Sequence, residues 1–258
     1  MRIVRTIRDL ELAGEIGLVP TMGALHDGHR SLLRAARAEN ETVVASLFVN
    51  PAQFGEEGDL ATYPRDEARD AGIAEACGAD VLFTPDAAEM YPLGFGTWVD
   101  VDGLGAEEAA RPGHFRGVAT ICLKLFNIVQ PRRAYFGQKD AQQGAVVRRL
   151  VRDLDLPIEI RLLPTVRDTD GLAWSSRNVL LSPAERAEAL ALPRALRAGA
   201  DAFGQGSDPV AAARARLNGL TPDYVEILDL DGVTVLAAAV RIGTTRLIDN
   251  VLLEGELT

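Results

Sequence analysis

The sequence predicts an α/β protein in two parts: a parallel-sheet domain over residues 1–166 and a smaller α+β domain over residues 167–258. Up to about residue 166, short β-branched apolar runs alternate with helical stretches, the rhythm of parallel strands joined by helical crossovers. From about residue 167 that rhythm gives way to helices followed by three strand-like runs. Hydrophobic residues make up 47% of the 258, with aromatics at 5%, so a sizeable core is available and must be built mostly of Ala, Val, Leu and Ile.

The elements follow in order. "IGLVPTM" (16–22) reads as a buried strand, and "HRSLLRAARAEN" (29–40) as an amphipathic helix. "ETVVASLFVN" (41–50) is a second strand, and "DEARDAGIAEACG" (66–78) a helix ending at Gly78. "ADVLFTP" (79–85) is a third strand, followed by "FRGVATICLKLFNIVQP" (115–131), a mostly apolar helix stopped at Pro131. "RAYFG" (133–137), "AQQGAVVRRLVRDL" (141–154) and "PIEIRLLPT" (157–165) give strand, helix and fifth strand. In the second part, "LSPAERAEALALPRALRAGA" (181–200) reads as one helix. Ser182 is its N-cap, Pro183 stands at N1, and Glu185 completes a capping box. "DPVAAARARLNG" (208–219) is a further helix. "DYVEILDL", "VTVLAAAVRI" and "TTRLIDNVLLE" are strands.

Several classes fall away on composition. A formal net charge of −10 argues against non-specific nucleic-acid binding. No run of 18 apolar residues is present, and the N-terminal stretch lacks a signal-peptide core, so no membrane association is expected. Cys77 and Cys122 are far apart and form no metal or redox motif, which fits a reducing cytoplasm.

Ligands of parallel sheets bind beyond the carboxyl ends of the strands, and the polar motifs cluster there. The chain has 3 histidines, and two of them, His26 and His29, enclose Asp27-Gly28 between a strand and a helix. A helix start offers free N–H groups and the positive end of its dipole, so this turn suits phosphate. Gly28 would let a ligand approach the backbone, and a bound phosphate would favour the imidazolium form. The plainer reading is a pair of surface histidines on a helix cap; a metal pair lacks a nearby third ligand.

"YFGQKDAQQ" (135–143) places Lys139 just before a helix, with Gln142 and Gln143 as neutral polar groups on it. "DGLAWSSRN" (170–178) offers Ser175, Ser176 and Arg177 as donors for phosphate oxygens. Gln53 stands beside Phe54 after an Asn50-Pro51 turn. Asp59, Tyr63 and Arg65 could serve a site or anchor their loop, and His114 and Arg116 lead into the apolar helix. The standard P-loop, Gly-x-Gly-x-x-Gly and Gly-x-Ser-x-Gly patterns are all missing from the sequence.

Seven of these stretches, "PTMGALHDGH", "FVNPAQF", "YPRD", "PGHFRGVAT", "YFGQKDAQQ", "PTVRDTDGLAWSSRN" and "GTTRLIDN", occur in the order of the pantothenate synthetase (pantoate–β-alanine ligase) family, which the chain resembles over nearly its whole length. That family belongs to the His-x-Gly-His nucleotidyltransferases, so the resemblance implies a Rossmann-like domain and a C-terminal lid domain. It implies an ATP-dependent ligase that joins pantoate to β-alanine through a pantoyl adenylate. His26, His29, Lys139, Ser175, Ser176 and Arg177 would face the ATP phosphates, and Gly137 and Asp140 the ribose. Met22, Val166 and Trp174 would complete the ATP site, while Met22, His26, Gln53 and Gln143 would hold pantoate. Mg2+ would bridge the phosphates, with no protein ligand assigned, and the protein would be a cytoplasmic homodimer. The chain departs from the family at Gln138, usually Glu, at Ala141, usually aromatic, and at Trp174, usually Met. Either the indole of Trp174 fills the volume left at Ala141, or it packs under the lid without touching residue 141. A relative acting on another acid or amine, and a non-catalytic nucleotide binder, are the competing readings.

Overall fold

The computed structural model describes residues 1–256 apart from Glu56, Leu104 and Asn218, with the backbone alone for Glu57, Gly58 and Asp59. Asp59, a candidate from the sequence, therefore lies outside the described side chains. Among the described residues, six strands form one parallel sheet: β1 (Arg2–Val4), β2 (Ile16–Thr21), β3 (Thr42–Leu47), β4 (Val81–Phe83), β5 (Arg133–Gly137) and β6 (Glu159–Leu163), in the order β1-β4-β3-β2-β5-β6. Helix α1 (Asp27–Glu39) links β2 to β3. Helices α2 (Glu57–Thr62) and α3 (Glu67–Ala76) precede β4. After β4 come α4 (Ala87–Met90), α5 (Ala106–Ala110) and α6 (His114–Val129), and α7 (Ala141–Asp153) links β5 to β6.

Period-2 alternation explains why both sheet faces are covered. Leu18, Val44, Val81, Phe83, Ala134 and Phe136 point to the face packed by α6 and α7. Val19, Val43, Ala45, Leu82 and Tyr135 point to the other, under α1 and α3. The apolar stripe of α1 is Leu32, Leu33 and Ala36. Helix α6 is apolar nearly all round because it is buried nearly all round. It ends at Gln130, whose φ of 50° is left-handed, just before Pro131.

The second part contains α8 (Pro183–Ala189), α9 (Ala191–Gly204), α10 (Pro209–Arg216) and an antiparallel sheet of β7 (Pro222–Asp229), β8 (Thr234–Ile242) and β9 (Thr245–Glu254). Where the sequence reads one helix over 181–200, the structure has two, parted at Leu190. The cause is Pro193, which has no N–H for the carbonyl of Ala189 and would clash with it in a continuous helix. One face of this sheet, with Val225, Leu236, Ala238 and Val240, packs on α9 and α10. The other, with Tyr224, Leu228, Val235, Ala237 and Ala239, belongs to the same core as α6 and α7.

Strand order reverses at β2: the chain runs outward through β3 and β4 on one side and through β5 and β6 on the other. The carboxyl ends of β2 and β5 thus flank a crevice, the place where such sheets bind ligands.

Candidate active site

That crevice opens into a cavity of about 1160 Å³ lined by residues from both sheets. Every residue assigned to the site from the sequence lines it: Met22, His26, His29, Gln53, Gly137, Lys139, Asp140, Gln143, Val166, Trp174, Ser175, Ser176 and Arg177.

The histidine turn is shaped before any ligand arrives. His26 is the extended N-cap of α1. Its Nδ1 accepts from the Gly28 N–H at 3.2 Å, while its own N–H donates to His29 Nδ1 at 3.3 Å. Both Nδ1 atoms are acceptors, so each neutral ring carries its proton on Nε2. The rings lie 4.1 Å apart between centroids. Burial pushes His26 down to about 2, helped by His29 and Lys139, and pushes His29 down to about 4 despite Asp140. The turn is therefore a pair of neutral Nε2–H donors, and a phosphate placed beside them would favour the imidazolium form, as the sequence reading expects. Gly28 serves the protein here: a Cβ on it would stand 2.9 Å from His26 Cε1.

Asp70, fully buried on α3, holds the preceding turn by accepting from the N–H groups of Ala24 at 2.7 Å and Leu25 at 2.8 Å. Ser176 reaches the same turn, its hydroxyl donating to the Ala24 carbonyl at 3.2 Å. Ser175 caps the next 3-10 turn by accepting from the Arg177 N–H, and the Arg177 guanidinium lies 5.9 Å from the Tyr63 ring centre. Lys139 sits in a 3-10 turn between β5 and α7, with Nζ 3.3 Å from Asp140 Oδ1.

The floor of the cavity is an amide network. Tyr91 donates to Asn50 Oδ1 at 2.7 Å, and Asn50 Nδ2 donates to Gln53 Oε1 at 3.0 Å and to the Gly117 carbonyl at 3.1 Å. This orients Gln53 so that its Nε2 donates to Met22 Sδ at 2.9 Å. The Gln53 carbonyl lies 2.8 Å from His114 Nδ1 and accepts from Arg111 at 3.1 Å. His114 is pushed down to about 4, chiefly by burial and then by Arg111, so it donates from Nδ1 as a neutral ring. Gln142, beside Gln143, turns the other way. Its Oε1 accepts from the Glu107 N–H at 3.1 Å and its Nε2 donates to the Tyr224 hydroxyl at 3.4 Å. Glu107 also receives both terminal nitrogens of Arg246, at 2.7 and 2.9 Å. Burial opposes ionisation of Glu107, but Arg246 outweighs it and holds the carboxyl below its ordinary value.

Residues 1–252 match the family described as pantoate-beta-alanine ligase. The chain belongs to the pantoate–β-alanine ligase family. It is 54% identical to a pantothenate synthetase of Roseiflexus castenholzii, over 98% of this chain and 100% of that protein. It superimposes on the crystal structure of pantothenate synthetase from Thermus thermophilus with a TM-score of 0.93 at 46% identity, covering 99% and 100% of the two chains. A pantoate-beta-alanine ligase from Francisella tularensis, complexed with beta-gamma ATP and beta-alanine, matches with a TM-score of 0.85 at 35% identity over 99% of each chain.

Around these ligase residues, the structure adds contacts that the sequence reading did not include. The Trp174 indole stacks on His26, with ring centres 6.2 Å apart and planes at 20°, and that is its ring contact among the described residues. Ala141 belongs to the buried core and also lines the cavity, as Trp174 does. Asp70, Glu107, Arg111 and Arg246 were not singled out; each acts through contacts between distant parts of the chain that no local pattern announces. No group of three or more His, Cys, Asp or Glu able to hold a metal ion occurs among the described residues. The hydroxyl and cationic groups of Lys139, Ser175, Ser176 and Arg177 that line the cavity suit phosphate oxygens, so a Mg2+ accompanying a nucleotide would be held by those oxygens and water. Among the described residues, no helix is long and apolar enough to cross a membrane.

Proposed function

We propose that this chain joins pantoate and β-alanine into pantothenate at the expense of ATP, in two steps. A carboxylate oxygen of pantoate attacks the α-phosphorus, forming pantoyl adenylate and releasing pyrophosphate. The amine of β-alanine then attacks the acyl carbon, loses a proton, and AMP departs. Family membership supports the overall reaction. The observation that carries the mechanism is the convergence of three separate chain segments, His26–His29, Lys139 and Ser175–Arg177, on one cavity whose floor is a held glutamine.

In this reading the Nε2–H groups of His26 and His29 donate to phosphate oxygens, with Lys139, Ser175, Ser176 and Arg177 around the departing pyrophosphate. Fixed donors aimed at developing charge cost no reorganisation during reaction. Gly137 and Asp140 meet the ribose, and Val166 and Trp174 meet adenine. Gln53 and Gln143, with Met22 and His26, hold pantoate, bringing its carboxylate into line with the α-phosphorus. Mg2+ bound to the phosphates would shield their charge. We place the protein in the cytoplasm as a homodimer; the unpaired, buried Cys77 and Cys122 fit a reducing compartment, and the dimer rests on the family resemblance.

The test is exchange of labelled pyrophosphate into ATP. Pantoate with Mg2+ should support exchange without β-alanine, and adding β-alanine should yield pantothenate and AMP. An absolute need for the amine before any exchange, or a preference for another acid, would overturn the reading.

A further inference from the structure

Two neighbouring residues of β9 touch both loops that carry phosphate-binding groups. Successive side chains leave a strand on opposite sides, so one strand can reach two places at once. Asn250, 3% exposed, donates from Nδ2 to the carbonyls of Gln138 at 2.9 Å and Lys139 at 2.8 Å. Asp249, also 3% exposed, pairs with Arg167 through 2.6 and 3.1 Å contacts. Arg167 donates in turn to the carbonyls of Gly171 and Asn250, and bridges to Ala173. Ser175–Arg177 follow directly. The hairpin that launches the serine–arginine loop and the turn that carries Lys139 are therefore pinned to adjacent residues of one strand.

The orientation of Asn250 is informative. Both carbonyls require its amide nitrogen, and its Oδ1 is left buried with no partner among the described residues. A flipped amide would face two carbonyl oxygens with a third. The side chain thus leaves an acceptor unsatisfied in order to hold the lysine turn.

We infer that Asn250 is a positioning residue for Lys139 and that Asp249 is its counterpart for the Ser175–Arg177 loop, so that β9 sets the spacing between the two cationic groups. This rests on the reading of Lys139 as a phosphate ligand. A displacement near 1 Å of such a group can cost about 10²-fold in rate.

The experiment is a double-mutant cycle read by ATP–pyrophosphate exchange, with thermal midpoints in parallel. Asn250→Ala should slow exchange by about 10- to 100-fold. In a Lys139→Ala background the same substitution should add less than about twofold, whereas in an Arg177→Ala background its full effect should persist. Reaction of supplied pantoyl adenylate with β-alanine should be far less impaired by Asn250→Ala. An equal loss in the wild-type and Lys139→Ala backgrounds would make Asn250 a general structural residue and overturn the inference. If Asn250→Ala does not fold, Asn250→Ser, which keeps one donor, is read through the same cycle against the same criteria. Unimpaired exchange by Lys139→Ala alone would overturn the phosphate role of Lys139, and that failure is distinguishable because it needs no variant of Asn250.

Discussion

Lowering the pH from 7 to 5 should destabilise this protein through its histidines. All three are held neutral by burial, with His26 at about 2 and His29 and His114 at about 4, against an ordinary 6.5. Each folded value lies below the unfolded one. Stability is therefore undiminished above about pH 6.5 and is lost as pH falls from there toward the folded values, because the unfolded chain binds protons that the folded chain refuses. At pH 5 the refusal costs about 2 kcal/mol per ring, so about 6 kcal/mol for the three together, against a total of about 5–15 kcal/mol for an ordinary protein. Carboxylates held low by cationic partners, such as Glu67 beside Arg5, add their own losses only at more acid pH. The assay is urea unfolding at steps between pH 7.5 and about 5, followed by fluorescence of Trp98 and Trp174. The slope of stability against pH should approach three protons per molecule, and His114→Asn should remove one of them. A nucleotide in the cavity would favour the charged rings of His26 and His29 and should flatten the slope, beyond the uniform stabilisation that binding gives. A slope left unchanged by His114→Asn, or stability that rises on acidification, would refute the neutral assignment and the Nε2–H tautomers built on it.

Other substitutions should separate the parts of the site. Lys139→Ala should cut pyrophosphate exchange by about 10²- to 10³-fold, while supplied pantoyl adenylate reacts with β-alanine at a less impaired rate; equal damage to both half-reactions would place Lys139 at the acyl centre or in the fold. Gln53→Ala should weaken pantoate by about 1–3 kcal/mol and leave the ATP Michaelis constant nearly unchanged, because it strips a buried partner from a small polar acid. A rise in the ATP constant alone would mean that the pantoate pocket is misplaced. Gly117→Ala should act at the same pocket from behind: its Cβ would stand 2.4 Å from the Ala52 carbonyl oxygen, so the turn carrying Gln53 must move. We expect about 1–3 kcal/mol of lost stability together with a raised pantoate constant, and an unshifted melting point would contradict the packing described.

Much of this was legible because strand–turn–helix units carry local signals. The runs 16–22, 41–50 and 133–137 are apolar at every second residue or throughout, and each reappears as a strand. β1 escaped because three residues, the first of them Arg2, followed by Arg5 make no pattern; its partner is Val81–Phe83, far along the chain. The histidines, Lys139 and the serine–arginine loop were legible as donors at element ends, whereas their support was not. Asp70 looks like any helix-surface acid in the sequence, and only the path of the Met22–Leu25 turn buries it. Glutamines 142 and 143 are indistinguishable by type; both line the cavity, and only the fold shows that Gln142 also binds Glu107 and Tyr224. The stacking of the Trp174 indole on His26 was not legible either, because it depends on how the 170–178 loop folds back over the histidine turn.

The apolar face that β7 and β8 share with α6 and α7 has a consequence for synthesis. When the first 166 residues have left the ribosome, the outer surfaces of α6 and α7 still await Tyr224, Leu228, Val235, Ala237 and Ala239, which the chain has not yet made. Domains that mature as they emerge need a core of their own, and here part of the core arrives last. The nascent chain must carry that uncovered surface until β8 appears, which leaves it prone to aggregation at this stage. A fragment cut at residue 166 would keep the surface exposed permanently and should aggregate rather than behave as a smaller enzyme.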